Sequence, residues 1–240
     1  MISTNQSITH HNTIQNVGAI ILAAGISNRM QGKDKMWIDL LGQPLITYSL
    51  NAFNNCKKIT QIVLVMSGSN IALGQNLVVK NKFHKVSHVC EGGKRRQDSV
   101  RLGLEKIASE SDWIIVHDAA RPCIDNEIID RALNSATTNI AATAAVPVKD
   151  TIKVAEDNLI VKKTLPRKQL WSVQTPQIFK QEILYQAHRN NNRNVTDDAA
   201  MVEMSGNPVR IFLGSYNNVK VTTPEDIPLA EAILKNILEV

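Results

Sequence analysis

The sequence predicts an α/β fold of three layers, with a mostly parallel sheet in the middle and a β-hairpin projecting from it. Three observations predict it. From Val17 onward, short apolar runs alternate with longer amphipathic stretches. Several of those runs are apolar at nearly every position, as strands buried on both faces are. One segment, 151–165, breaks the alternation with two β-prone arms about a polar centre.

Taken in order, "VGAIILAA" (17–24), "QIVLVM" (61–66), "VSHVC" (86–90), "WIIVH" (113–117) and "IAATAAVPV" (140–148) read as buried strands. Between them, "PLITYSLNAF" (44–53), "RQDSVRLGLEKIA" (96–108) and "IDNEIIDRALNSA" (124–136) read as helices. Pro44 suits a first helical position and Asp125 an N-cap. Strand–helix alternation of this kind implies a parallel sheet covered on both faces. In "TIKVAEDNLIVKKTL" (151–165), the polar "EDN" is a hairpin signal, and the arms carry little apolar surface to pack on a core. Two readings are open: a dimerisation arm covered by a second copy, or a solvent-exposed excursion. Helices follow at 179–189 and 197–206, a strand at 209–214, and a last helix in "TTPEDIPLAEAILKNIL" with Thr223 as N-cap and Pro224 first. Pro228 falls just past the first turn, where it would distort the helix. No repeats or linkers divide the chain. One domain over 17–240 is expected, with an arm at 149–170 and a disordered extension at 1–16.

Composition narrows the function classes. Of 240 residues, 43% are hydrophobic and 20% charged, as in ordinary globular chains. Aromatics make up 4%, and the net charge of +5 is diffuse, so nucleic acid is not an expected partner. Three widely spaced cysteines (Cys56, Cys90, Cys123) form neither a disulfide framework nor a metal knuckle, and are expected to be reduced and mostly buried. No apolar run is long enough for a membrane span, and the polar first sixteen residues lack a signal-peptide core. A cytoplasmic protein is expected. His84 and His88 lie in strand-like context without a third ligand, so zinc is not expected.

In an open α/β sheet, ligands bind beyond the carboxyl ends of the strands. Four segments end there. In "LAAGISNRM" an apolar strand stops at Gly25, and Arg29, Lys33 and Lys35 follow. It is not a dinucleotide fingerprint, since only Gly25 stands where that pattern needs three glycines, nor a P-loop, since Asp34 follows the Gly-Lys pair. The turn is either routine or a phosphate cradle. "CEGGKRRQDSV" offers a Gly-Gly turn and a helix start with Asp98 and Ser99, either an N-cap or a loop that reads a base edge. "WIIVHDAARP" places Asp118 at a buried strand end, where a carboxylate needs a partner or a metal. Mg²⁺, which needs only one or two carboxylates, would suit it. Arg121 either pairs with Asp118 or grips a phosphate. "NVKVTTPED" places Lys220 in a β-prone run. Cations, one metal carboxylate, a base-reading loop and no nucleophile fit nucleotidyl transfer to a sugar or polyol phosphate. Such an acceptor, with a second pKa of about 6, is already ionised at neutral pH.

Together "ILAAGISNRM", "GGKRRQDSV", "VHDAARP", "VPVKDTIK", "LWSVQTPQIF" and "NVKVTTPED" resemble, in order from about Val17 to the C-terminus, 2-C-methyl-D-erythritol 4-phosphate cytidylyltransferases. The resemblance implies a Rossmann-like nucleotidyltransferase sheet. It also implies that the chain forms CDP-methylerythritol and pyrophosphate from CTP in non-mevalonate isoprenoid synthesis. Arg29, Lys35 and Lys220 are implied as catalytic cations, the first two on the triphosphate. Ala23, Ala24, Gly25, Gly93 and Ser99 would line the cytidine pocket, and Asp118 would serve Mg²⁺ and the ribose side. Arg121, Thr151, Arg167, Thr175 and Lys220 would bind methylerythritol phosphate. In this family the 151–165 hairpin interlocks with a second subunit, which implies a homodimer. Two departures stand out. Met36 and Trp37 replace the family's frequent Gln and aromatic, and Asn217 stands where an acid is frequent, which shifts metal binding onto Asp118. A chain ending at Val240 is expected to carry a single activity. The rival readings are a ribitol 5-phosphate cytidylyltransferase, which tends to have Gly-Gly at the first loop, and a non-catalytic nucleotide-binding module.

Overall fold

The computed structural model describes residues 14, 16–25, 34–190 and 193–238. The expected catalytic residue Arg29, and most of the expected extension 1–16, lie outside the described residues. In chain order the elements are β1 (Val17–Ala23), β2 (Asp39–Leu40), β3 (Gln43–Pro44), α1 (Leu45–Asn55), β4 (Ile59–Met66), α2 (Ile71–Lys80), β5 (Val86–Glu91), α3 (Arg96–Leu104) and β6 (Trp113–Asp118). There follow α4 (Asn126–Ala136), β7 (Ala141–Pro147), β8 (Lys153–Ala155), β9 (Val161–Thr164), β10 (Trp171–Lys180), α5 (Gln181–Asn190), α6 (Asp198–Met204), β11 (Arg210–Leu213) and α7 (Asp226–Leu238).

Seven strands form one sheet in the order β11-β7-β10-β6-β1-β4-β5. Every neighbouring pair is parallel except those made by β10, which runs antiparallel to both β6 and β7. From β1 the chain builds outward through β4 to β5, then returns to lay β6 on the other side of β1. That reversal opens a crevice at the carboxyl ends of β1 and β6.

Period-two alternation along β1 assigns the layers. Ala19 and Ile21 face a core shared with Leu45, Phe53, Leu77, Ile129 and Leu234, from α1, α2, α4 and α7. Ile20 and Leu22 face a second core with Val100, Leu184 and Val202, from α3, α5 and α6. Because β1 is covered on both sides, all seven of its residues are buried. Gly103 permits the close approach of α3, since a Cβ there would lie 2.7 Å from Ile20 Cγ2.

The structure departs from the sequence reading at particular points. The antiparallel β10 was not expected, because Pro176 and its polar neighbours do not read as a sheet interior. The strand accommodates them with an irregularity in its ladder with β7 between Val173 and Gln177. Helix α2 was missed because Asn and Gln interrupt its apolar positions and Val79 faces solvent. Helix α3 stops at Leu104, short of the expected 108, and α5 begins at Gln181 because Phe179 and Lys180 are spent on β10. Pro44 precedes α1 as its N-cap position. Helix α7 begins at Asp226, not after Thr223: the Asp226 carboxylate accepts from the Thr222 and Thr223 amides at 2.7 and 2.9 Å. Pro228 then falls in the first turn, where a missing N–H costs nothing, and the helix is not broken. Among the cysteines, Cys123 is buried and Cys56 and Cys90 are half-buried; all three are free. At the amino end, Ile14 packs against the core and the Asn16 carbonyl accepts from the Asp112 amide at 3.0 Å.

The hairpin forms as expected. Strands β8 and β9 pair antiparallel, and their residues are all exposed. Leu159 and Ile160 at its tip leave 84% and 62% of their surface in water.

Candidate active site

Among the described residues, two cavities of the crevice meet at three residues: Arg96, Asp118 and Lys220 line both. The first, of about 270 Å³, is walled by the end of β1 (Ala23, Ala24, Gly25), the Gly93 turn, Ser99 and Lys35. Among the described residues its walls carry five cations (Lys35, Lys94, Arg95, Arg96, Lys220) and one carboxylate, Asp118. The second, of about 200 Å³, adds Arg121, Thr175, Gln177 and Asp197.

Close packing builds the first cavity. Gly92 bonds back to the Met66 carbonyl at 2.7 Å, and a Cβ on it would lie 2.4 Å from the Ala24 Cβ. A Cβ on Gly93 would strike Asp98, whose backbone carbon would be 3.2 Å away. Only glycine fits that double turn. Ser99 is spent on the turn itself: its hydroxyl accepts from the Gly93 amide at 3.1 Å and lies 3.3 Å from the Arg95 carbonyl, to which it donates. Asp98 points away from the cavity and caps α3, taking the Arg95 amide at 3.2 Å and its Nη2 at 2.7 Å.

Lys35 opens a one-turn 3₁₀ helix, Lys35–Trp37. Asp34 caps it through the Met36 amide at 3.0 Å, and the other Asp34 oxygen is bound by the Asn70 amide group. Met36 is buried in the core beneath the turn. At the departed position Met36 also borders the first cavity, beside Lys35.

Asp118 ends β6 at the junction. Its Oδ1 accepts from Arg96 Nε at 3.0 Å and its Oδ2 from Lys220 Nζ at 2.6 Å. Burial alone would raise its pKa, but Arg96, Lys220 and Arg121 outweigh burial and hold it far below the usual carboxylate range. Lys220 is not in a strand, contrary to expectation. It rides a loop pinned by the Val221 amide to the Ala120 carbonyl at 2.8 Å, which brings it beside Asp118. Arg121 does not pair with Asp118; its Nη1 donates to the Asn218 carbonyl at 2.7 Å. Asn217, at the departed position, is exposed, with its amide on Ser215.

The irregularity in β10 delivers Thr175. Its Oγ1 accepts from the Asp118 amide at 3.0 Å and sits 3.1 Å from His117 Nδ1. Because the Arg121 carbonyl facing Nε2 can only accept, the imidazole proton sits on Nε2, and Nδ1 accepts the Thr175 hydroxyl proton. Burial pushes His117 down to about 3, with Asp118 opposing and Arg121 assisting.

The structure thus brings Ala23, Ala24, Gly25, Lys35, Gly93, Ser99, Asp118, Arg121, Thr175 and Lys220 around one crevice. Thr151 and Arg167 are exposed on the arm and line neither cavity. Arg167 donates to the Lys149 carbonyl at 2.7 Å, at the base of the arm. Arg96, which touches Asp118 directly, was not singled out from the sequence, nor was Asp198, which it also binds at 2.6 Å.

The family model for 2-C-methyl-D-erythritol 4-phosphate cytidylyltransferase (IspD) matches residues 17–236. The chain belongs to this family. A relative of that name from Dehalococcoides mccartyi is 44% identical over 221 residues, covering 92% of this chain and 97% of its own. One from Clostridium novyi is 43% identical over 224 residues, covering 91% and 96%. The crystal structure of a 4-diphosphocytidyl-2C-methyl-D-erythritol synthase from Anaerococcus prevotii superimposes with a TM-score of 0.81 at 28% identity, covering 92% of this chain and 99% of its own. In this cytidylyltransferase the mostly parallel sheet carries its cavities at the strand ends. Among the described residues, no helix is long and apolar enough to cross a membrane.

The buried His117 gives the site a measurable pH signature. It is neutral when folded, while the unfolded chain takes up a proton near the ordinary 6.5. Its contribution is intact above pH 6.5 and is lost as pH falls toward 3. Asp118 and Asp198, both depressed, lose theirs only below 3.8. Unfolding by urea between pH 6 and 4 should therefore show stability falling by up to about 1.4 kcal/mol per pH unit from this residue. The His117→Asn variant should show a shallower slope; an identical slope would place the proton uptake elsewhere.

Proposed function

We propose that the chain transfers CMP from CTP to 2-C-methyl-D-erythritol 4-phosphate, releasing pyrophosphate, as an early step of non-mevalonate isoprenoid synthesis. The observation that carries this is the junction of the two cavities at Asp118, Arg96 and Lys220, in a chain of this family. The first cavity, rich in cations and closed by the Gly92–Gly93 turn, suits a nucleoside triphosphate. The second, with Arg121, Thr175 and Lys220, suits a polyol phosphate. Their meeting point brings the acceptor phosphate to the α-phosphorus.

An oxygen of the acceptor phosphate forms the new bond to the α-phosphorus, and the bond to the β-phosphate oxygen breaks. That acceptor is already ionised, so the protein need not remove a proton. Its work is alignment and charge neutralisation. Lys35, with Arg29, balances charge that builds on the α- and β-phosphates, and Lys220 does so at the junction. Ala23, Ala24, Gly25, Gly93 and Ser99 shape the cytidine pocket.

Mg²⁺ is the proposed cofactor, and Asp118 is the group that would hold it. Among the described residues no cluster of three or more His, Cys, Asp or Glu could form a cage, which suits an ion held by one carboxylate and the substrate's phosphates. Two hydrogen bonds leave Asp118 about two of its roughly four lone-pair sites. When bound, the ion would neutralise phosphate charge.

A homodimer is the second part of the proposal. Ile152, Val154, Leu159, Ile160 and Val161 expose apolar surface on a hairpin that touches no core. A second copy covering it would carry Arg167 and Thr151 toward the acceptor cavity of its neighbour. The thiols, all free, accord with a reducing cytoplasm.

Light scattering should report twice the 26.6 kDa chain mass; a monomer would remove Arg167 and Thr151 from the site. With CTP and Mg²⁺, pyrophosphate release should require methylerythritol 4-phosphate and fail with ribitol 5-phosphate. Release only with ribitol 5-phosphate would keep the mechanism and change the acceptor. Silence with both, in protein that binds CTP, would favour a binding module. Lys35→Ala should lower turnover by at least about a hundredfold with folding intact; near-normal turnover would rule out its role.

A further inference from the structure

Arg96 is held from two sides. Its Nε donates to Asp118 at 3.0 Å, inside the crevice, and its Nη1 donates to Asp198 at 2.6 Å, behind it. Asp198 is almost wholly buried, and its other oxygen takes His188 Nε2 at 3.0 Å. His188, on α5, is 5% exposed. Neither residue lines the two cavities.

A buried carboxylate is costly, and nothing in the local fold demands this one. The N-cap of α6 is supplied by its neighbour Asp197, which accepts the Ala200 amide at 2.9 Å. Asp198 instead turns inward and spends both oxygens on Arg96 and His188. Its charge is maintained: burial would raise its pKa, but Arg96 and His188 outweigh that and lower it. A free arginine side chain samples many rotamers, and fixing one of them costs entropy. Two carboxylates on different nitrogens fix both the reach and the plane of the guanidinium. Without Asp198 the group would turn about Asp118 alone, and Asp118 would lose a cation fixed in direction.

We infer that Asp198 and His188 are positioning residues: they hold the Arg96 guanidinium at the junction of the two cavities, so that Asp118 and the nucleotide meet it in one orientation. The chain of contacts runs from α5 through α6 to the start of α3 and the end of β6. It rests on the proposed CTP site.

The test uses the full chain, with calorimetric titration of CTP, steady-state kinetics and thermal unfolding on each variant. His188→Leu removes the donor without altering either cavity wall. It should raise the CTP Kd and KM about five- to tenfold, and His188→Gln, which restores a donor, should return both to within about twofold of wild type. Asp198→Asn, which keeps an acceptor for Arg96 but loses the charge, should raise both about tenfold. A merely structural role would lower the melting temperature and the active fraction, and so kcat, while the folded molecules kept the wild-type Kd and KM; that result overturns the inference. If His188→Leu does not fold, the Asp198→Asn and His188→Gln pair decides by the same criterion. Loss of wild-type turnover with methylerythritol 4-phosphate would refute the proposed reaction and leave the CTP affinities to judge Arg96 separately.

Discussion

A carboxylate at the end of a strand buried on both faces must be matched by positive charge or it will not stay ionised. Asp118 meets that constraint with Arg96 and Lys220, one on each oxygen. Much of the crevice follows from the match. Lys220 arrives on a loop after β11, Arg96 at the first turn of α3, and Thr175 from the irregular stretch of β10 that supports the Asp118 amide. Segments remote in sequence converge because one charge requires them.

The sheet's topology determines where that charge sits. With β1 central and β6 laid back beside it, the ends of both strands open into the same crevice. The small residues Ala23, Ala24 and Gly25 then leave room where a bulky strand end would fill it. Cation excess in the first cavity follows from the composition of its walls, so a polyanion entering it meets partners already oriented. Preorganisation of this kind is what charge-building transfer reactions require.

Much of this was legible in the sequence because it is local. The apolar runs of β1, β4, β6 and β7 announce doubly covered strands, and Gly92–Gly93 announces a turn. Asp118 was legible too, since an acid directly after "WIIVH" has no cheap explanation. What escaped depends on tertiary contacts. The sequence around Pro176 argues against a sheet interior, and only the broken ladder with β7 makes β10 tolerable. Arg96 sits among "KRR", where nothing local distinguishes a half-buried, doubly paired cation from its exposed neighbour Arg95. Asp198 follows another aspartate, and helix capping explains one of the two but not which. His188 reads as an ordinary polar position on α5. Thr151 and Arg167 show the opposite limit: the resemblance assigns them to a site, and one copy of the chain leaves them outside both cavities.

The central claim is that Asp118 organises the cations of the crevice. The most direct measurement is calorimetric titration of CTP into the wild type and the Asp118→Asn variant, with chelator present so that no divalent ion contributes. By charge alone, removing a carboxylate from the crevice should tighten the binding of a polyanion. If Asp118 fixes Arg96 and Lys220 in place, binding should instead weaken by about tenfold or more. Equal or tighter binding by the folded variant would contradict the account.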